Sequence, residues 1–232
     1  MVIDLTSTSL AAGGHAGGGE VLAMAVYQAI VRGVALGAHP SYPDRAGFGR
    51  TSMADRLTAT QLEQCILEQM LAVGRTVHDA GGRLTHVKAH GALYHDVAMR
   101  PAVADAFATA VARAEEELDC GPLVVMGPPL AGAMPATYLV EGFADRRYLP
   151  DGNLAPRTEA GSVLTDVDDV VEQATSIAID GRVRALDGTW VDVPAGTLCL
   201  HGDTPDAVAL ARAVRTSLLD AGVQIRSYAD TS

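Results

Sequence analysis

Short apolar runs alternate along this chain with longer stretches in which apolar residues recur every third or fourth position. The first pattern reads as strand and the second as amphipathic helix. Strand-like runs are "VIDL" (2–5), "VALGAH" (34–39), "LTHVKAH" (84–90), "PLVVMG" (122–127), "TYLVEGF" (137–143) and "TLCLHG" (197–202), with "VQIRSY" (223–228) as a last short one. Helix-like stretches cover 19–33, 58–82, 100–118, 166–181 and 204–222. Their ends carry stop and start signals: Thr58 and Thr204 as caps, Pro101 in a first turn, and the Gly81–Gly82 pair as a stop. "RVRALDGTWVDV" (182–193) has a DG turn between alternating segments and reads as a hairpin.

Strand, helix, strand, helix in series predicts parallel strands with helical crossovers. The expected fold is α/β, a TIM-like (β/α) barrel held in one domain, 1–232, without repeat or linker. Strand side chains alternate between faces, so His86, Lys88 and His90 share one face of "HVKAH", and Val87 and Ala89 the other. Parallel sheets bury both faces, and a polar face then needs a polar cavity. The pattern recurs at the C-terminal ends of other runs. His39 ends "ALGAH"; Glu141, Phe143 and Asp145 share a face of "VEGFAD"; Cys199, His201 and Asp203 share a face of "LCLHGD". Barrel active sites lie at that end of the strands. The reading therefore gathers His39, Lys88, His90, Asp145 and His201 at one mouth. His86 lies deeper and is expected to be packed and hydrogen-bonded, while His78 and His95 are expected to be structural.

Composition narrows the function. Aromatics make up 4% of the 232 residues, so the core is built from small aliphatic side chains. The net charge of −11 disfavours nucleic acid, and an anionic ligand would need a locally basic pocket. The three cysteines, Cys65, Cys120 and Cys199, are far apart and suit reduced thiols in the cytoplasm. No basic leader and no apolar run of membrane-spanning length is visible in the sequence. No GxxxxGK[ST] loop occurs; "GHAGGGE" (14–20) is glycine-rich, opens a helix, and is a weak phosphate-cradle signal.

The stretches "GHAGG", "GVALGAHPSYPDRAGFGR", "HVKAHGALYH", "EGFADRRYLPDGNLAPR", "GRVRALDGTWVDV" and "LHGD" occur in the order found in the LamB/YcsF family, the family of 5-oxoprolinase A subunits, which this chain resembles from about residue 11 to 225. The resemblance implies a barrel of the glycoside hydrolase/deacetylase type with about seven strands. It also implies a part in the ATP-dependent opening of 5-oxoproline to L-glutamate, together with two partner subunits of B and C type. Matched to the family's motifs, the catalytic candidates are His39, Lys88, His90, Asp145 and His201. The substrate-binding candidates are His15, Tyr42, Asp44, Arg50, Tyr94, Arg146, Arg157 and Asp203. Lys88 and the three arginines would bind carboxylate or phosphate. The histidines are read as acid–base groups; no residue is assigned to a metal, and a divalent ion stands beside ATP only as an open cofactor expectation.

The chain departs from the family at its start. Where the family reads close to "IDLNCDLGE", this chain reads "IDLTSTSLAAGG", with Thr6 and Thr8 at the Asn and Asp positions. Gly18 replaces the Asp of "FHAGD", Ala89 the Pro of "KPHG", and His95 the usual Asn. Too few residues separate "VIDL" from "SLAAGG" for two ordinary parallel strands, so one strand should be lost or displaced. The resulting edge would invite a partner or a second copy of the chain. Two other functions fit the same residues: a metal-dependent carbohydrate deacetylase, and a non-catalytic scaffold subunit.

Overall fold

The computed structural model describes residues 5–129 and 137–227. They divide into two compact units, Thr6–Tyr138 and Leu139–Arg226. No helix among the described residues is long and apolar enough to cross a membrane.

The first unit runs β1 (Ser7–Leu10), α1 (Gly19–Val31), β2 (Ala35–Ala38), α2 (Ala59–Asp79), β3 (Leu84–Lys88), α3 (Ala92–Met99), α4 (Pro101–Leu118) and β4 (Val124–Gly127). Its strands lie in the order β1-β2-β3-β4. All three pairings are parallel, with Ser7 opposite Ala35, Leu36 opposite Leu84 and His86 opposite Val124. Each link between them carries a helix, as parallel neighbours require. Thr58 starts α2 with a capping box closed by Gln61, and Pro101 occupies the first turn of α4. The core is aliphatic, as composition demands: Ile66, Met70, Val77, Val87, Leu93 and Ala110 are fully buried. Gly74 lets α2 approach α4 closely, since a Cβ there would lie 2.3 Å from Leu118 Cδ1.

The second unit contains β5 (Tyr138–Phe143), α5 (Val167–Asp180), β6 (Arg182–Arg184), β7 (Trp190–Asp192), β8 (Thr197–Cys199) and α6 (Ala207–Asp220). β5 and β8 pair in parallel, with Phe143 opposite Cys199. β6 and β7 form the antiparallel DG hairpin, where Arg182 and Arg184 stack over the Trp190 ring at 4.3 and 4.6 Å. Ala144, Leu164, Val170, Ala174 and Leu210 form the core between α5, α6 and the adjoining loops, with Leu198, Leu200 and Val214 packed against them. Asp166 caps α5 by accepting from the Asp168 and Asp169 amides.

Both units are thus α/β with parallel strands, as the alternating pattern predicts. Four local expectations need correction. The first described strand is "STSL"; of the expected strand "VIDL", residues 2–4 lie outside the described residues and Leu5 is not in a strand. Residues 92–99 form a helix, α3, that the short motif after the strand concealed. Residues 223–227 form no strand, and 228 lies outside the described residues. Thr204 does not cap the last helix: α6 starts later, after Asp206 in a left-handed conformation with φ 55°, and its first turn has no side-chain cap.

Candidate functional site

In the first unit, three segments meet beyond the C-terminal ends of β1, β2 and β3. They are the glycine-rich turn at 13–18, the loop 39–50 and the segment 89–91. The His39 amide donates to Leu10 O at 2.9 Å, at the end of β1, and the His90 amide donates to Pro40 O at 2.8 Å. Gly91, at φ 58°, passes so near the 39–50 loop that a Cβ would sit 2.4 Å from Gly49 O. Gly49 has φ 66°, and a Cβ there would press on His15, Ser41 and His90, each at 3.1 Å. Gln69 of α2 reaches under the loop: its Oε1 accepts from the Ser41 amide at 3.1 Å, and its Nε2 donates to Ser41 O at 2.8 Å.

The result is a cluster of imidazoles. His15 and His90 stack with centroids 3.6 Å apart and planes 5° off parallel. His39 meets His90 edge-on, with Nε2 of His39 3.0 Å from Nδ1 of His90. Phe48 closes one side, edge-on to His15 and His90 at 5.2 and 5.3 Å. A ring nitrogen from each of His15, His39 and His90 lies within 4.8 Å of the other two. Burial, then the charges of His90, Arg50 and Arg45, hold the His15 pKa down at about 4. His39 is held well below its ordinary value by burial and then by Lys88 and the other histidines. Both rings are therefore neutral at pH 7.

Lys88, at the end of β3, is buried, and its Nζ lies 6.0 Å from the centroid of the buried Tyr94 ring. Arg50 lies over Phe48 at 4.9 Å. His86, on the same strand face as Lys88, points at β2, where Gly37 leaves room for its ring; a Cβ on Gly37 would lie 2.2 Å from it. Its nitrogens meet Ser9 Oγ at 3.1 Å and Thr85 Oγ1 at 3.0 Å. Burial and the charge of Lys88 lower its pKa to about 3. His86 is thus a neutral, hydrogen-bonded core residue, in line with its deeper position in the strand.

In the second unit the focus is Asp145, which is fully buried. Its Oδ2 accepts from the His201 amide at 3.0 Å and from Thr204 Oγ1 at 2.6 Å, and its Oδ1 accepts from His201 Nδ1 at 2.9 Å. Burial pushes this carboxyl up, but the hydrogen bonds and charge of His201, with the bond from Thr204, outweigh it and leave Asp145 below the ordinary carboxylate range. The carboxylate fixes the proton of His201 on Nδ1, so a neutral His201 presents the lone pair of Nε2. Phe143 stacks on His201 at 5.5 Å. Gln173 of α5 steadies the turn after β5, donating from Nε2 to Phe143 O and Arg146 O, each at 2.7 Å.

Several family-matched residues are engaged elsewhere. The Tyr42 hydroxyl donates to Asp96 Oδ2 at 2.7 Å. Asp44 Oδ1 accepts from the Gly47 amide at 2.8 Å and shapes the loop. The Arg146 guanidinium is buried and donates to the carbonyls of Ala155 and Ser162. Arg157 is half-buried, and Asp203 is exposed beside His201. Sequence reasoning passed over Ser41, Phe48, Gln69, Gln173 and Thr204. Gln69 carried a visible signal, a polar residue in the apolar stripe of Leu62, Ile66, Met70 and Val73. Thr204 carried a misleading one, since a threonine before a helix reads as a cap.

Each parallel α/β unit carries polar side chains at its strand ends, histidines and a lysine in the first and a carboxylate–histidine pair in the second, groups of the kind hydrolases use. The match is specific: the LamB/YcsF family model covers residues 1–232, and the chain belongs to that family. It is 44% identical over 227 residues to the A subunit of 5-oxoprolinase from Methylococcus capsulatus, spanning 95% of this chain and 85% of that one. To the corresponding 5-oxoprolinase A subunit of Heliobacterium modesticaldum it is 42% identical, spanning 98% and 89%. Among solved structures, it resembles a lactam utilization protein from Thermus thermophilus with a TM-score of 0.82 and 37% identity, over 98% of this chain and 90% of that one.

Proposed function

We propose that this chain is the A-type subunit of an ATP-dependent 5-oxoprolinase. It would act in the cytoplasm with B- and C-type partners to open 5-oxo-L-proline to L-glutamate. The near full-length identity to proteins named as the A subunit of 5-oxoprolinase carries this reading. The same likeness, with that to the Thermus protein, supports a (β/α) barrel of about seven strands. The pairing of buried Asp145 with half-buried His201 supports the chemistry. A five-membered lactam resists water, so ATP is needed to phosphorylate its carbonyl oxygen and release ADP. Water then adds to the ring carbon while a base takes its proton, the ring C–N bond breaks with the nitrogen leaving protonated, and a second water releases phosphate from the resulting acyl phosphate to leave the carboxylate. His201 Nε2 is the proposed base, with Asp145 holding its tautomer; Lys88 and Arg50 are the proposed anion-binding groups. The nucleotide would bind on a partner subunit or where the subunits meet. Val21, Met24, Tyr27 and Val31 form an exposed apolar stripe on α1 that such a partner would cover.

The test is reconstitution. The chain is mixed with its two partner subunits, and glutamate release from 5-oxoproline is measured with and without ATP. ATP-dependent release that is lost in His201→Ala is expected. A normal complex that releases no glutamate would leave the chain a scaffold. Acetate release from an N-acetyl sugar instead would make it a deacetylase.

A further inference from the structure

The histidine cluster of the first unit has a polarity that the acid–base reading leaves unused. His39 Nδ1 lies 2.7 Å from Lys88 O, and His90 Nε2 lies 2.9 Å from Phe48 O. A carbonyl oxygen only accepts, so each of these outer nitrogens carries the ring's hydrogen. With one hydrogen on each ring, the inner nitrogens, His39 Nε2 and His90 Nδ1, then present lone pairs that face each other across 3.0 Å. Two acceptors do not rest at that distance unless something electrophilic lies between or beside them. The third ring adds to the demand: His15 is 5% exposed, and its Nδ1 is buried with no hydrogen-bond partner.

We propose that His15, His39 and His90 form a binding site for one divalent transition-metal ion of the zinc and cobalt class. Tetrahedral Zn–N bonds of about 2.0–2.1 Å place ligand nitrogens about 3.3 Å apart, close to the His39–His90 spacing. The two backbone carbonyls are the outer partners that orient ligating imidazoles and raise their basicity. An all-nitrogen donor set suits zinc, cobalt, nickel or copper over magnesium or calcium. A proton shared between His39 and His90 would also relieve the facing lone pairs. It would set one positive charge near Lys88 in return for a single bond and leave His15 Nδ1 unsatisfied, whereas an ion engages all three rings. Three neutral ligands with Lys88 and Arg50 nearby leave the fourth position for an anion, hydroxide or a ligand carboxylate.

This site stands independently of the lactam reading, and its test needs no turnover. The intact chain is stripped with a chelator and titrated with Co²⁺, following ligand-field absorption and calorimetric stoichiometry. Wild type and His78→Ala, altered on the exposed side of α2, are expected to bind one Co²⁺ per chain with tetrahedral-type bands. His39→Ala and His90→Ala are expected to bind none. His15→Gln, which keeps a polar side chain, is expected to lose the bands and at least tenfold in affinity, with circular dichroism confirming that each variant is folded. Failure of the wild type to take up stoichiometric Co²⁺ or Zn²⁺ would overturn the proposal. So would folded His39→Ala and His90→Ala variants that bind like wild type.

Discussion

Mild acid should destabilise this protein through one buried ring, His86, and the size of the effect follows from its surroundings. The ring is 1% exposed. Thr85 Oγ1 donates its proton to Leu36 O at 3.0 Å, so it accepts from His86 Nδ1, and Ser9 Oγ donates to His86 Nε2 at 3.1 Å. Three strands are thereby tied through one neutral imidazole. A second proton would require the Ser9 hydroxyl to turn away and would set a cation in the core near Lys88, hence a folded pKa of about 3 against 6.5. Between those values the unfolded chain binds the extra proton and the folded chain does not, so stability is lost as pH falls below about 6.5. At about 1.36 kcal/mol per unit, going from pH 7.5 to 5.5 costs roughly 1.4 kcal/mol from this residue, rising to roughly 5 kcal/mol below pH 3. Urea unfolding of wild type and His86→Gln, followed by far-UV circular dichroism at the two pH values, isolates the effect. His15 and His39 act in the same direction in both proteins, so the readout is the difference between them. Wild type should lose about 1.4 kcal/mol more than the variant. Equal losses, or a His86 ring proton resonance titrating near pH 6.5, would refute the argument.

Three further outcomes are expected. Gly37→Ala places a Cβ 2.2 Å from the His86 ring, which has nowhere to go, and should cost about 3 kcal/mol; an unshifted thermal midpoint would contradict this. Gln69→Ala strands the amide and carbonyl of Ser41 beneath the 39–50 loop and should cost about 2–4 kcal/mol in urea unfolding, with faster amide exchange at Ser41; unchanged exchange would count against the anchoring role. Asp145→Asn lets His201 adopt the other tautomer and should lower kcat of the reconstituted enzyme by about 10²–10⁴ with little change in KM; a wild-type kcat would remove His201 from the base role.

The elements were legible because their signals are local. Thr58, Pro101, Asp166 and the DG turn each act within four residues, and the structure places helix or hairpin ends at all of them. The strand Ser7–Leu10 was not legible, since "STSL" has no alternation of its own and forms a strand by pairing with Ala35–Ala38. The candidate site was legible only as polar residues at strand ends, with His86 marked as packed by its deeper place on the strand. Its internal wiring was not. Thr204 on Asp145, Gln69 on Ser41 and Phe48 O on His90 join positions 59, 28 and 42 residues apart, and no spacing rule reaches that far.

Four histidines in this fold share one side chain and sit in three settings, and the group on the outer nitrogen sets what each suits. Hydroxyls on both nitrogens of His86 satisfy the ring and retire it into the core. A carboxylate on His201 Nδ1 stabilises the imidazolium that forms when Nε2 takes a proton, which suits a base. Backbone carbonyls on His39 and His90 fix the tautomer without neutralising an added charge, so protonation gains little there while a lone pair offered to an electrophile gains more. One of those carbonyls belongs to Phe48, whose φ of 54° is a conformation a phenylalanine adopts at a cost of roughly 1–2 kcal/mol. The strain turns its carbonyl to His90 while its ring shelters His15 and His90 from one side. Glycine would relax the backbone and lose the shelter, so the residue that looks worst for its turn is the one that serves both needs of the cluster.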